Sequence, residues 1–472
     1  MAKSLHSRID VFSKTWVGAI RLGLLLLLII SLTSGLTLAQ EAVPADAEPE
    51  ASPPTFSKDV APILQRKCQN CHRAGHAGPF PLETYEHARR RASDLAFVAE
   101  ARSMPPWQPE PEIGPKLKHD LSLNSKEIET IIAWAEADAP QGDPADMPAP
   151  PKFAEGWKLG TPDLILEPLE DFHIGAAAPE TYHCFVLPTN LQRDAFISAI
   201  EYRPSNPRVV HHITSFIDMT GVARKREKTE PGIGYTSFNG PGIPFFDVMG
   251  FWATGHEPVR LPEGIGMKLP RQSDIILQIH YMPTGKPEVD RTQVGIYFSR
   301  TPVKQALHWN GPQNRQFHIP AGESEVEIEA SWYVPVDLEA LAVSPHMHLL
   351  GRDVRMTLTY ANGESLDLIS IPNWDPAWQS MYQFEKPIPL PAGSTLKVVA
   401  HFDNSAHPRN PNQPPKLVKW GHNSDDEMLD GFVAVVKKGQ DLTQARSWDD
   451  LGEIFQKQRL KNFRKETTRR GR

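Results

Sequence analysis

Cys68-Gln69-Asn70-Cys71-His72 is a C-x-x-C-H run. Two thiols at this spacing can form thioethers to the vinyl groups of haem, and the histidine that follows is placed to ligate the iron. A bare C-x-x-C would be ambiguous between a redox disulfide and half a zinc site. Here the adjoining histidine favours covalent haem c, and the sequence has no second cysteine pair to complete a zinc site. A sixth ligand is then required. Met104, in Ser103-Met104-Pro105-Pro106-Trp107, lies far enough along for the chain to wrap a porphyrin, and the prolines stiffen the loop that presents the sulfur. His76 and His87 compete for that place. His/Met ligation implies a relatively high potential and a six-coordinate iron, which suits electron transfer.

Eighteen histidines are present, and five fall in three short strand-like segments further on: Val210-His211-His212-Ile213, Leu277-Gln278-Ile279-His280-Tyr281 and Ser344-Pro345-His346-Met347-His348-Leu349. Side chains two apart on a strand share a face, so His346 and His348 can chelate one ion while Met347 points to the opposite side. Adjacent His211 and His212 point to opposite faces of a regular strand, so joint ligation requires a bulge, a strand end or different ring nitrogens. Singly, each histidine is more often a hydrogen-bonded structural residue; as a set they read as metal ligands. Imidazole alone fits zinc, copper, iron or nickel. Met428, in Asp425-Asp426-Glu427-Met428, adds a thioether that favours Cu(I).

The elements that must position these groups fall into blocks. The chain has 472 residues, 40% hydrophobic and 23% charged, which is more than one core organises. Residues 1–39 read as an export signal, with basic residues through Arg21, an apolar run Leu22–Leu32 and small residues at Thr37-Leu38-Ala39. The competing reading is an uncleaved membrane anchor. A linker spans 40–54, and a first module spans 55–140. In it Val60, Ile63 and Leu64 lead into Cys68, and Ile128, Ile131, Ile132 and Ala135 recur at helical spacing behind an Asn124 cap with Glu127 three residues on. A second linker spans 141–152. Beyond Phe153 the pattern has period two: Val354, Met356, Leu358 and Tyr360 alternate with polar residues, Asn362-Gly363 marks a hairpin turn, and Leu366, Leu368 and Ser370 resume. Two all-β sandwiches, 153–303 and 304–455, are expected there, followed by a basic, solvated tail over 456–472. Three cysteines cannot supply a disulfide framework. The net charge of −7 becomes −10 without residues 1–39, which disfavours nucleic acid as a partner.

Thr55 to Pro140 resembles a small c-type cytochrome, with the Met-Pro-Pro-Trp segment similar to the axial-methionine loop of that family. Phe153 to Val436 resembles the copper type II, ascorbate-dependent monooxygenases, the family of dopamine β-monooxygenase and peptidylglycine α-hydroxylating monooxygenase. The resemblance implies an all-α cytochrome c domain followed by two jelly-roll-like β-sandwiches with one copper on each. His211, His212 and His280 match the electron-transfer copper; His346, His348 and Met428 match the copper that binds oxygen. His346-Met347-His348-Leu349-Leu350-Gly351-Arg352 is most similar to the dopamine β-monooxygenase version of H-x-H. The chain also departs from the family. Its animal members are disulfide-rich, whereas Cys184 is the one cysteine outside the haem motif and reads as a buried small residue. Peptide-amidating members hold a substrate carboxylate with an arginine where Ser344 stands, and Asp430 and Phe432 replace their polar and tyrosine contacts, so a glycine-extended peptide is not the expected substrate. His256, His401, His407 and His422 are assigned to the surface or to support of the ligands.

The expected function is therefore that of an exported haem- and copper-dependent monooxygenase, periplasmic or in the cell envelope. It would hydroxylate a small organic substrate with O2, using an external electron donor, ascorbate or a redox protein, through the fused cytochrome. The alternative is a non-enzymatic electron-transfer or copper-binding protein on the same fold.

Overall fold

The computed structural model describes residues 52–470 except 77, 155, 238, 239, 422 and 446. The export segment, most of the first linker and His422 lie outside the described residues. Among the described residues no helix is long and apolar enough to cross a membrane.

The first module is helical. A π-turn Phe56–Val60 runs into the helix Ala61–Lys67, and the helices Tyr85–Arg89, Ala92–Glu100 and Ser125–Glu136 follow. The last begins where the sequence says it should: Asn124 accepts from Glu127 N while the Glu127 carboxylate accepts from Asn124 N, a reciprocal cap that satisfies two otherwise orphaned donors. Its inward face, Ile128, Ile131 and Trp134, closes a core with Phe56, Val60, Leu64, Leu82 and Leu95. The segment read as a second linker is fastened to this module. Phe56 N and Ser57 N donate to the carbonyls of Pro140 and Gln141, and Gln65 Nε2 donates to the Pro148 carbonyl.

The rest of the chain is predominantly β, in sandwich layers, as the period-two pattern predicts. A five-stranded sheet has the strand Asp274–Tyr281 at its centre, flanked by Thr181–Pro188 and Val210–Asp218. A four-stranded sheet contains the hairpin Gly351–Thr359 and Ser365–Ile371, with Leu358 opposite Leu366 across the Asn362-Gly363 turn. Val354, Met356 and Leu358 are buried there, on the face the alternation assigns.

A nine-stranded sheet backs both of these smaller sheets and crosses the expected boundary at 303/304. The strand Ile265–Leu269 pairs in parallel with Gln305–Asn310, which in turn pairs with Leu429–Lys437, so one sheet runs through both halves. The apolar core of the first half, around Ile213, Leu277, Ile279 and Tyr281, accordingly includes Leu307, Trp309, Ala342, Ala434 and Val436 from the second. A helix joins the end of this half to the basic tail. Residues Asp450–Arg470 are helical, and Leu451 and Phe455, one turn apart, are buried in the second core beneath Trp332.

The helical module docks on this β body through the segment after Met104. Leu117 bridges Phe384, Lys118 N donates to the Gln383 carbonyl and Glu385 N to the Lys116 carbonyl, each at 2.8 Å. At Gly114, φ is +83°, and a Cβ would stand 2.8 Å from the carbonyl oxygens of Asp367 and Leu368, so this approach requires glycine.

Candidate functional site

His211 and His212 open the strand Val210–Asp218, and the pairing shows why both can serve one site. Val210 lies opposite Tyr281 and His212 opposite His280, with a register shift between them at His211. That bulge turns His211 out of the regular alternation and brings it to the side of its neighbour. His211 Nδ1 lies 3.1 Å from His212 Nδ1, and His280 Nδ1 lies 3.4 Å from the same atom. Two nitrogens roughly 2.0–2.1 Å from one ion at tetrahedral to trigonal angles stand about 3.3–3.6 Å apart, so the His280–His212 spacing matches a ligand set and the His211–His212 spacing is slightly tighter than one. Burial holds His211 down to about 4 and His212 well below its usual value, His280 being the next cause for both; both rings are therefore neutral at neutral pH.

The third histidine is fixed by groups that local sequence did not reveal. His280 Nε2 is hydrogen-bonded to Glu180 Oε1, which leaves Nδ1 as the free ring nitrogen, and the Tyr182 ring stacks on the imidazole at 4.1 Å. The hydrogen bond from His280 is the main reason the Glu180 carboxyl is held down to about 2. Ser424 Oγ donates to the same Glu180 oxygen at 2.6 Å, so this carboxylate joins the first half of the β body to the loop that precedes Met428.

His346 ends the strand Leu338–His346, and Met428 immediately precedes the strand Leu429–Lys437 that pairs with it. The alternation behaves as the sequence predicts: Met347 is fully buried in the second core, while the His346 and His348 rings sit 5.2 Å apart on the other side. His346 Nδ1 donates to Gln379 Oε1 at 2.6 Å and His348 Nδ1 to the Asp426 carbonyl at 3.1 Å, so both rings keep Nε2 available. Burial holds His346 down to about 3 and lowers His348. Glu427, fully buried, accepts from His348 N, Leu350 N and Met428 N, tying the H-x-H segment to the methionine.

His212, His346, His348 and Met428 line one cavity of about 340 Å³, walled by Phe251, Trp252, Phe432 and Met381. Ser344 lies on it, and the buried Asp430 carboxyl, pushed up to about 6 by desolvation, has an oxygen without a hydrogen-bond partner there.

Cys68, Cys71 and His72 line a second, mainly apolar cavity of about 520 Å³, with Leu82, Leu95 and Val98. Burial pushes the Cys68 thiol up to about 12. His72 Nδ1 donates to the Phe80 carbonyl at 3.0 Å, leaving Nε2 free. Of the three candidates for a sixth ligand, Met104 lines this cavity; His76 lines a neighbouring one of about 900 Å³, and His87 lies in the short helix Tyr85–Arg89. Cys184 is fully buried, as read from the sequence. His256 Nε2 accepts from Met381 N, whereas His401 pairs with Asp353 and His407 with the Asp403 carbonyl, away from these cavities.

No family model matches the chain, and no curated protein matches it. Solved structures to which it is similar include the major capsid protein P2 of bacteriophage PM2, at 9% identity over 59% of this chain and 99% of that one with a TM-score of 0.21. The VP2 subviral particle of infectious bursal disease virus is similar at 10% identity over 58% and 72%, with a TM-score of 0.18. The N-terminal CBM22 tandem domain of Xyn10C from Paenibacillus barcinonensis is similar at 8% identity over 54% and 82%, with a TM-score of 0.14. At these TM-scores the likenesses carry no argument about the site.

Proposed function

We propose that the chain is an exported haem- and copper-dependent monooxygenase that hydroxylates a C–H bond of a small organic substrate with O2. One observation carries this reading: a cluster of three imidazoles, His211, His212 and His280, reaches through His212 the same cavity that His346, His348 and the Met428 thioether line, so two donor sets of different softness border one space. The residues fit the groups. His211, His212 and His280 would hold copper through Nδ1, and His346 and His348 through Nε2 together with Met428 sulfur. Cys68 and Cys71 would carry a covalent haem, with His72 and Met104 as the residues that would ligate its iron. When bound, copper supplies one-electron chemistry with O2 and haem carries single electrons from the external donor.

The chain's own residues do the rest. Glu180 and Gln379 set which ring nitrogen of His280 and His346 is free. Phe251, Trp252 and Phe432 give the shared cavity apolar walls that exclude water from the reacting carbon. Ser344 stands where the peptide-amidating members have an arginine, and the cavity's two arginines, Arg315 and Arg459, come from other elements, which supports a substrate held differently from a glycine-extended peptide.

The test uses the full chain loaded with haem and copper, given reductant, isotopically labelled O2 and candidate substrates. Labelled oxygen in the product, with about two coppers per chain, supports the monooxygenase. Electron transfer with no product supports the electron-transfer or copper-binding alternative. Met428→His should abolish the copper–sulfur scattering of the reduced protein and most product formation while the His211 copper stays loaded. Full turnover with the copper–sulfur signal intact would remove Met428 from the site.

A further inference from the structure

The cavity of the helical module and the cavity of the histidines share a wall. Trp378, Ser380 and Met381 line the first, with Cys68, Cys71 and Met104; Gln379, Ser380 and Met381 line the second, with His346 and Met428. Gln379 stands in the middle of this wall. Its Oε1 accepts from His346 Nδ1 at 2.6 Å, and its Nε2 donates to the Pro376 carbonyl at 3.1 Å. The short turn that presents it, Pro376–Trp378, is gripped from the helical module. Gln108 Nε2 donates to the Trp378 carbonyl at 2.7 Å and to the Asp375 carbonyl at 3.2 Å, while Gln108 Oε1 accepts from Asp375 N at 2.6 Å. A primary amide has two donor hydrogens and one acceptor oxygen, and here all are directed at one turn. Gln108 follows Met104 by four residues, with two prolines and Trp107 between them, and Trp107 packs edge-on against Tyr382 at 5.3 Å. The link from Met104 to His346 is thus a stiff loop, a three-bond amide clamp, a turn and one side-chain hydrogen bond.

We propose that Gln108 and Gln379 are positioning residues that couple the Met104 loop to the His346 site. The loop sets the place of the Pro376–Trp378 turn, and the turn sets the orientation and tautomer of the His346 ring, so the helical module completes this metal site. The inference rests on the reading of Cys68, Cys71, His72 and Met104 as haem residues and of His346, His348 and Met428 as copper ligands. Coupling of this kind is reciprocal: whatever factor the loop exerts on copper affinity, copper exerts on the loop.

The experiment titrates the haem-loaded full chain with copper ions against a competing chelator, and separately titrates it with free imidazole, which displaces Met104 from the iron. Gln379→Ala should weaken the second copper about 10- to 100-fold, the loss usual for a ligand's hydrogen-bond partner, with the His211 copper unchanged as an internal control. Gln379→Glu keeps an acceptor for His346 Nδ1 and should restore it. Gln108→Ala, which touches no metal ligand, should weaken the same copper about 5-fold or more. In the wild-type chain copper loading should change the apparent imidazole affinity by the factor by which imidazole changes the second copper's affinity, and Gln108→Ala should remove that dependence. Second-copper affinity within two-fold of wild type in Gln108→Ala, with the imidazole response intact, overturns the coupling alone. A wild-type chain that takes up no copper, or no covalent haem, overturns the proposed function with it. Should Gln108→Ala fail to fold, Gln379→Ala carries the test: an imidazole response to copper that survives its loss of affinity overturns the coupling.

Discussion

His308 offers a quantitative test of how the second half is locked to the first. The residue is buried in the strand Gln305–Asn310, where Nδ1 donates to Asp247 Oδ2 at 2.6 Å and Nε2 to Asp449 Oδ2 at 2.9 Å. Arg459, from the C-terminal helix, pairs with the other Asp247 oxygen at 2.9 Å. Burial pulls the imidazolium down, but the bond to Asp247 and then that to Asp449 more than offset it, raising His308 from 6.5 to about 9. At about 1.4 kcal/mol per pH unit, that rise is worth about 3 kcal/mol of folding stability. Because the folded value lies above the unfolded one, this stabilisation is fully present below pH 6.5 and is lost as pH rises through 9. His308→Gln keeps a polar side chain but does not titrate. Urea unfolding of both chains, followed by tryptophan fluorescence at pH 6, 8 and 10, should show the wild-type advantage shrinking by about 3 kcal/mol between the first and last points. An advantage independent of pH across that range would mean that His308 is neutral in the folded protein, and the ion-pair account would fail.

Two further outcomes are expected at the site. Met104→Ala should leave haem covalently attached, because Cys68 and Cys71 hold it independently, while abolishing the low-spin spectrum of a methionine ligand; an unchanged spectrum and potential would point to His76 or His87. Glu180→Ala removes the acceptor that fixes His280 and should weaken the first copper about 10- to 100-fold in a chelator competition while sparing the second. Equal loss at both sites would show that the Glu180–Ser424 contact holds the two halves together and does not act on His280 specifically.

The residues that could bind metal were legible in the sequence because their signal is local: H-x-H fixes two imidazoles on one face whatever sheet it joins, and Met347 falls into the core for the same reason. The adjacent pair His211-His212 was ambiguous until the strand pairing supplied the bulge opposite His280. The groups that orient the ligands were not legible. Gln379 lies 33 residues from His346 and Glu180 lies 100 from His280, and neither sits in a pattern that a strand or helix period would mark. The sheet shared across 303/304 was not legible for a related reason: alternation tells which face of a strand is buried but not which strand lies beside it, so nothing local announced the pairing of Gln305 with Ile265. Just before the tail, Leu451 and Phe455 form a helical pair that the basic run after them obscured.

The long sheet has a mechanical consequence for the two histidine clusters. Rotating the halves about residues 303/304 would break the parallel pairs Gln305–Ile265 and Ala306–Gly266 and shear apart a core in which Trp309, Ala342 and Ala434 are buried among first-half residues. A tightly packed interior does not yield gradually to such a shear. The sheet therefore serves as a common chassis, and the gap between the clusters is a fixed dimension of the molecule.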